Sequence, residues 1–151
     1  MTEPSWSVTA ITTDRTHSIR RAVLRADTPT KEVRFAEDDL PGVVHLGALE
    51  DGQLIATSTW IPRESHLQPG VPAVQLRGMA TLQSAQSRGV GASLVAAGLD
   101  HARSIGAELV WANARDAALA FYVREGFSVV GDGFVDAATQ LPHHVVIISL
   151  A

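Results

Sequence analysis

The rhythm of apolar and polar positions changes along the chain, and each change marks an element. Trp6, Val8, Ala10 and Ile11 alternate loosely with polar residues, which predicts a first strand. Ile19, Val23 and Leu24 then fall on one helical face, and Asp14 stands where an N-cap belongs. A helix is therefore expected from Asp14 to about Ala26. Its polar side carries Arg15, Arg20, Arg21 and Arg25 and reads as a solvated basic face. Asp27-Thr28-Pro29-Thr30 breaks the helix, and residues 31–40 read as a loop or a short second helix. Strands follow over Val43 to Leu49 and Leu54 to Ile61, joined at Asp51-Gly52, a strong hairpin signal. Pro62 closes the second of them, and a polar loop runs to Pro72.

Val74 to Thr81 is half apolar and reads as a fourth strand. Leu94, Val95, Leu99, Ala102 and Ile105 form one stripe of a helix, with Gly106 placed as its C-cap glycine. Leu109-Val110-Trp111 is a short apolar strand of the buried parallel type. Ala114 to Arg124 reads as a helix with Ala118, Phe121 and Tyr122 on one face, ended by Gly126. Phe127 to Val130 begins another strand, Gly131-Asp132-Gly133 is a turn or bulge, and His144 to Leu150 is a last, apolar strand. The order predicts an α/β domain with a mixed sheet, and 151 residues suit one domain spanning 1–151 better than two.

Composition narrows the function. The hydrophobic share of 46% is that of an ordinary globular protein, and a net charge of −4 argues against a nucleic-acid partner. Without cysteine there is no disulfide, cysteine zinc site or cysteine nucleophile. The start of the chain lacks a signal-peptide pattern, and no apolar run approaches the roughly 20 residues of a membrane span. A cytoplasmic protein without a membrane partner is expected. The six histidines show no metal-ligand spacing, and His143 and His144, adjacent on a strand, point to opposite faces, so no metal is expected.

The chemistry concentrates in Gln86-Ser87-Arg88-Gly89-Val90-Gly91-Ala92-Ser93-Leu94, between the fourth strand and the long helix. Two glycines two apart let a backbone approach a bulky group, and loop amides join a helix N-terminus in one anion site. Arg88 adds a positive charge beside it. A dinucleotide fingerprint would need glycine where Leu94 stands, and a P-loop would need Gly-Lys-Ser/Thr. A phosphate or pyrophosphate ligand is inferred.

Gln86-Ser87-Arg88-Gly89-Val90-Gly91 resembles the Gln/Arg-x-x-Gly-x-Gly/Ala signature of the GNAT superfamily of acyl-CoA N-acyltransferases. Trp111-Ala112-Asn113-Ala114-Arg115 is similar to that family's fifth strand, and Ala120-Phe121-Tyr122-Val123-Arg124-Glu125-Gly126-Phe127 to its A-x-x-F-Y-x-x-x-G-F segment. Leu141-Pro142-His143 resembles the Ile-Pro-His ending of the ElaA-like branch. The resemblance is clear from residue 73 onward and looser before it, through Leu24, Asp38 and the His45-Leu46-Gly47-Ala48 strand.

The resemblance implies a sheet of about seven strands, splayed between the fourth and fifth and flanked by three to four helices. It implies acetyl-CoA as co-substrate and an amine acceptor attacking directly in a ternary complex. The amides of Arg88, Gly89, Val90, Gly91 and Ala92 would hold the pyrophosphate, Gln86 would belong to the same cofactor site, and Met79, Ala80 and Thr81 would present backbone to the pantetheine arm. Asn113 would contact that arm or fix the splayed strands, although it also suits a helix cap. Tyr122, the chain's one tyrosine, takes the general-acid position, although its spacing alone suits a packed aromatic.

The base is open. The fourth strand offers Gln75 and Arg77 where many members have a carboxylate. His143 is the first candidate, with a structural histidine bonding a loop carbonyl as its other reading; His144, His45 and Glu64 stand behind it. In the loop after the third strand, Arg63, Glu64 and His66 are candidate specificity residues or simply exposed polar positions. The rival reading of the whole chain is a non-catalytic acyl-CoA-binding sensor or scaffold. A monomer or a homodimer fits equally.

Overall fold

A computed structural model describes residues 5–150. Seven strands form one sheet: β1 (Trp6–Ile11), β2 (Val44–Glu50), β3 (Gln53–Pro62), β4 (Ala73–Thr81), β5 (Leu109–Arg115), β6 (Ser128–Val135) and β7 (Pro142–Ser149). Their order across the sheet is β1-β2-β3-β4-β5-β7-β6. The β4–β5 pair is parallel and every other pair antiparallel. The helices are α1 (His17–Ile19), α2 (Val90–Ser104) and α3 (Leu119–Arg124). No helix among the described residues is long and apolar enough to cross a membrane.

The expected element order holds, and the departures are instructive. The first helical segment is a 3-10 turn (Thr13–Thr16), α1, and a π-type stretch (Arg20–Leu24), with Asp14 inside the first turn rather than capping it. Its basic face is not uniformly solvated. Arg15 and Arg21 are exposed, but Arg20 and Arg25 are buried. Residues 31–40 carry turns and no helix.

Asp51 and Gly52 take φ of 52° and 78°, the left-handed pair a two-residue hairpin turn requires, and Glu50 faces Gln53 across it. α2 begins at Val90, so Gly91 lies in its first turn. On its stripe Leu94, Val95, Leu99 and Ala102 are buried while Ile105, expected with them, is 50% exposed. β5 continues to Arg115, past the expected end at Trp111. A 3-10 turn (Asp116–Ala118) follows, and α3 is correspondingly short. Gly131-Asp132-Gly133 is a bulge within β6, where Val130 faces Val145 and Phe134 faces His143.

The main core lies between the sheet and α2, where Trp60, Leu76, Val90, Leu94 and Val110 are almost fully enclosed. Gly98 sits where α2 crosses Trp60. A Cβ built there would stand 1.8 Å from Trp60 Cζ2, and the Trp60 ring is fully buried. In an open helix Gly→Ala gains about 1 kcal/mol. Here overpacking decides the sign, and Gly98→Ala lowers unfolding free energy by about 1–3 kcal/mol. The urea midpoint checks this; an unchanged or raised midpoint contradicts it.

Candidate active site

Two strands that start side by side part company to make the site. β4 and β5 pair only over Ala73–Gln75 against Leu109–Trp111. Beyond Gln75 the β5-facing edge of β4 has no strand partner, because β5 follows β7 instead, with Asn113 facing Val145 and Arg115 facing His143. A bulge sharpens the divergence: Gly78 has φ +62°, and β4 spends one residue more than β3 between the Thr59–Arg77 and Thr57–Ala80 pairs. Phe35 lies against this glycine, 2.9 Å from where a Cβ would stand.

On one side of the parting lies a cleft of about 690 Å³. Met79, Ala80 and Thr81 line it from β4, and Gln86, Gly89, Val90, Gly91 and Ala92 from the loop and the start of α2. Gly89 is the N-cap residue, at φ +91°, and Ser87 also has positive φ at 64°. The first helical bond runs from Ser93 N–H to Gly89 O at 3.1 Å, leaving the amides of Val90, Gly91 and Ala92 without helical partners. Gln86, exposed at the rim, donates from Nε2 to Thr81 O at 3.1 Å. A Cβ on Gly91 would meet Phe121 at 3.1 Å and 3.2 Å, so glycine there keeps the cleft open.

Arg88 behaves differently from expectation. Its guanidinium is held by Glu50 and Ser5 and lies 5.5 Å over the Trp6 ring, and Arg88 does not line the cleft. Its hydrogen bond to Glu50 raises its pKa, and the same bond holds the Glu50 carboxyl below its usual range. The free charge expected beside the loop is thus already balanced. The cation that does line the cleft is Arg124, on α3, which has no ion-pair partner among the described residues. The F-Y-x-x-x-G-F pattern placed it in the right segment without marking it.

On the other side is a smaller cavity of about 320 Å³, reached by Arg63, Gln75, Arg77, Asn113 and His143. Asn113 is exposed on the splayed part of β5 and caps no helix; Arg115 takes the N-cap position of the turn that follows. Arg25, Phe35, Glu37 and Asp136 line the same cavity. Periodicity did not suggest them, because three lie in irregular segments and Arg25 was read as solvated.

Tyr122 lines both spaces. It is only 6% exposed, packed edge-on between Phe121 and Phe127 at ring-centroid distances of 5.2 and 5.3 Å. Burial pushes its phenol well above the ordinary value, so the proton stays on the oxygen.

His143 is buried, stacked on Phe134, with Nδ1 2.8 Å from Leu141 O. A carbonyl only accepts, so Nδ1 donates this bond, which in the neutral ring places the lone pair on Nε2. His144 lies 2.7 Å from Asp116. His45 is buried, bonding Thr59 and the Asp38 carbonyl. Glu64 accepts from Gly70 N–H within its own loop, and neither it nor the exposed His66 lines either space. Of the three loop candidates, only Arg63 reaches the site.

A mixed sheet opened at its parallel pair, with a glycine loop leading from one lip into a helix, is the arrangement that the resemblance to acyl-CoA N-acyltransferases implied. The chain belongs to the acetyltransferase (GNAT) family, whose sequence profile it matches over residues 11–127. It is 31% identical over 127 residues to the uncharacterized N-acetyltransferase YitI of Bacillus subtilis (strain 168), covering 84% of this chain and 85% of that one. Its fold is that of Escherichia coli ElaA, with TM-score 0.75, 15% identity and coverage of 94% and 98% of the two chains. It is also that of yncA from Salmonella typhimurium, solved with its cofactor acetyl-CoA, with TM-score 0.72, 16% identity and coverage of 98% and 95%.

Proposed function

We propose that the protein moves an acetyl group from acetyl-CoA to the primary amine of a small molecule or an exposed amino group, by direct attack in a ternary complex. The observation that carries this reading is Tyr122, which with Met79 and Ala118 lines both the glycine-loop cleft and the smaller cavity and is the one of the three with an ionisable proton. A thioester laid along the unpaired edge of β4 would bring its carbonyl to that junction, and an amine in the smaller cavity would meet it there.

In this reading the amides of Val90, Gly91 and Ala92 hold the pyrophosphate, with Arg124 as the nearby cation, and Met79, Ala80 and Thr81 flank the pantetheine arm. The neutral amine attacks the carbonyl carbon, the C–N bond forms and the C–S bond breaks. Tyr122 gives its proton to the departing sulfur, and the proton lost by the amine goes to His143 Nε2 or to water. Burial disfavours a phenolate as it does a bare thiolate, so the proton lost by the amine returns through His143 or water to the Tyr122 oxygen as the sulfur takes the phenol's proton.

The cleft assignment is tested by calorimetric titration of acetyl-CoA into Gly91→Val. Side-chain carbons at residue 91 crowd Phe121 and narrow the cleft. The expected loss of affinity is about tenfold or more, or at least about 1.4 kcal/mol. Affinity within a factor of about two of the parent, in a variant with unchanged far-UV dichroism, contradicts it.

A further inference from the structure

Despite the acidic net charge of the chain, the smaller cavity is lined by four arginines, Arg25, Arg63, Arg77 and Arg115, against two carboxylates, Glu37 and Asp136. Their partners show which charge is left over. Glu37 bridges Arg63 and Arg77, 2.9 Å from each. Burial works against the Glu37 carboxylate, yet its own backbone N–H and the two arginines outweigh this and keep its pKa below the usual range. Arg115 bonds Leu24 O at 2.6 Å and lies 3.7 Å from Asp27, a residue outside the cavity. Asp136 accepts from Thr139 N–H at 2.9 Å.

Arg25 has no such partner. It is 8% exposed, its Nε donates to Glu32 O at 2.7 Å and its Nη1 reaches Leu24 O at 3.4 Å. Its Nη2 has no hydrogen-bond partner, and no carboxylate lies within 4 Å of it, among the described residues. Burial first, then the charges of Arg115 and Arg77, lower its pKa, and the charge of the Asp136 carboxylate offsets this only in part. The face of Phe35, 5.9 Å from Arg25 and 4.1 Å from Arg77, eases that crowding only in part. A buried cation in such a place costs free energy unless an anion arrives.

We infer that the acceptor amine carries a carboxylate, which docks on Arg25 and the neighbouring Arg77 while the amino group faces Tyr122. The inference rests on the transferase reading above. Glu37, bonded by Arg63 on one oxygen and Arg77 on the other, shows the same cavity already holding a carboxylate between two guanidiniums.

The test compares thiol release from acetyl-CoA with each common amino acid, its carboxamide, and aminoalkyl phosphates of similar length. The expected kcat/KM for the best acid exceeds that of its carboxamide by about tenfold to hundredfold. In Arg25→Gln this ratio falls toward one, and in Arg25→Lys part of it returns. Equal rates for acids and carboxamides overturn the inference and leave the transferase reading standing. So does an unchanged ratio in Arg25→Gln, or an aminoalkyl phosphate that outcompetes every acid. No thiol release from any amine overturns both.

Discussion

Replacing Tyr122 with Phe lowers kcat by about a hundredfold to ten-thousandfold, with little change in the affinity for acetyl-CoA. The substitution removes one oxygen from a ring that keeps its edge-on packing against Phe121 and Phe127, so the core is preserved. The proton that the phenol holds is what the departing sulfur loses access to. A solvent proton source replaces it poorly at a residue only 6% exposed. Steady-state kinetics with any accepted amine, alongside a thermal melt, separates the effect from misfolding. A kcat within about twofold of the parent removes Tyr122 from the chemistry.

Asp38→Asn destabilises the protein by about 3–5 kcal/mol. Arg20 and Asp38 form a bidentate pair at 2.8 and 2.9 Å, with side chains 1% and 3% exposed. Arg20 also donates to Val33 O and Thr59 Oγ1, each at 2.8 Å, and lies 3.8 Å over Phe35. Asparagine has nearly the same shape but leaves the Arg20 cation buried without a counter-charge. For a chain of this size the melting temperature falls by on the order of 10 °C.

The pH dependence has a definite sign. Burial pushes the Asp38 carboxyl up, but the Arg20 and Phe35 N–H hydrogen bonds and the Arg20 charge outweigh it, leaving the pKa below 3.8. Its stabilisation is therefore present above the unfolded value near 3.8 and is lost as pH falls through the lower folded value. The gap between parent and variant is widest near neutrality and narrows in acid. Equal melting temperatures at pH 7 contradict the account.

The same two arginines show what the sequence could and could not convey. Hydrophobic periodicity located the hairpin, the fourth strand and α2, because those elements bury one regular face. Arg20 and Arg25 looked solvated, because their partners lie in the irregular stretch 31–40: Val33 O, Asp38 and the Phe35 ring for Arg20, Glu32 O for Arg25. No period links a helix to a loop. Glu50, 38 residues before Arg88, likewise captures a charge that local reading left free.

The β5 boundary moved because helix-forming residues near Ala114 are overruled by pairing with β7 as far as His143. The glycine loop and the segment carrying Tyr122 could be located in the sequence because their residues are contiguous. The smaller cavity could not, since it draws on the first helical segment, the loop after it, β4, β5 and the segment after β6.

The most direct test of the transferase reading is amine-dependent release of free thiol from acetyl-CoA by the parent protein. The account predicts stoichiometric thiol and N-acetylated product from at least one primary amine, with none in the absence of amine. Tight acetyl-CoA binding with no thiol released across the amine panel contradicts it, and leaves a protein that holds the thioester without transferring it.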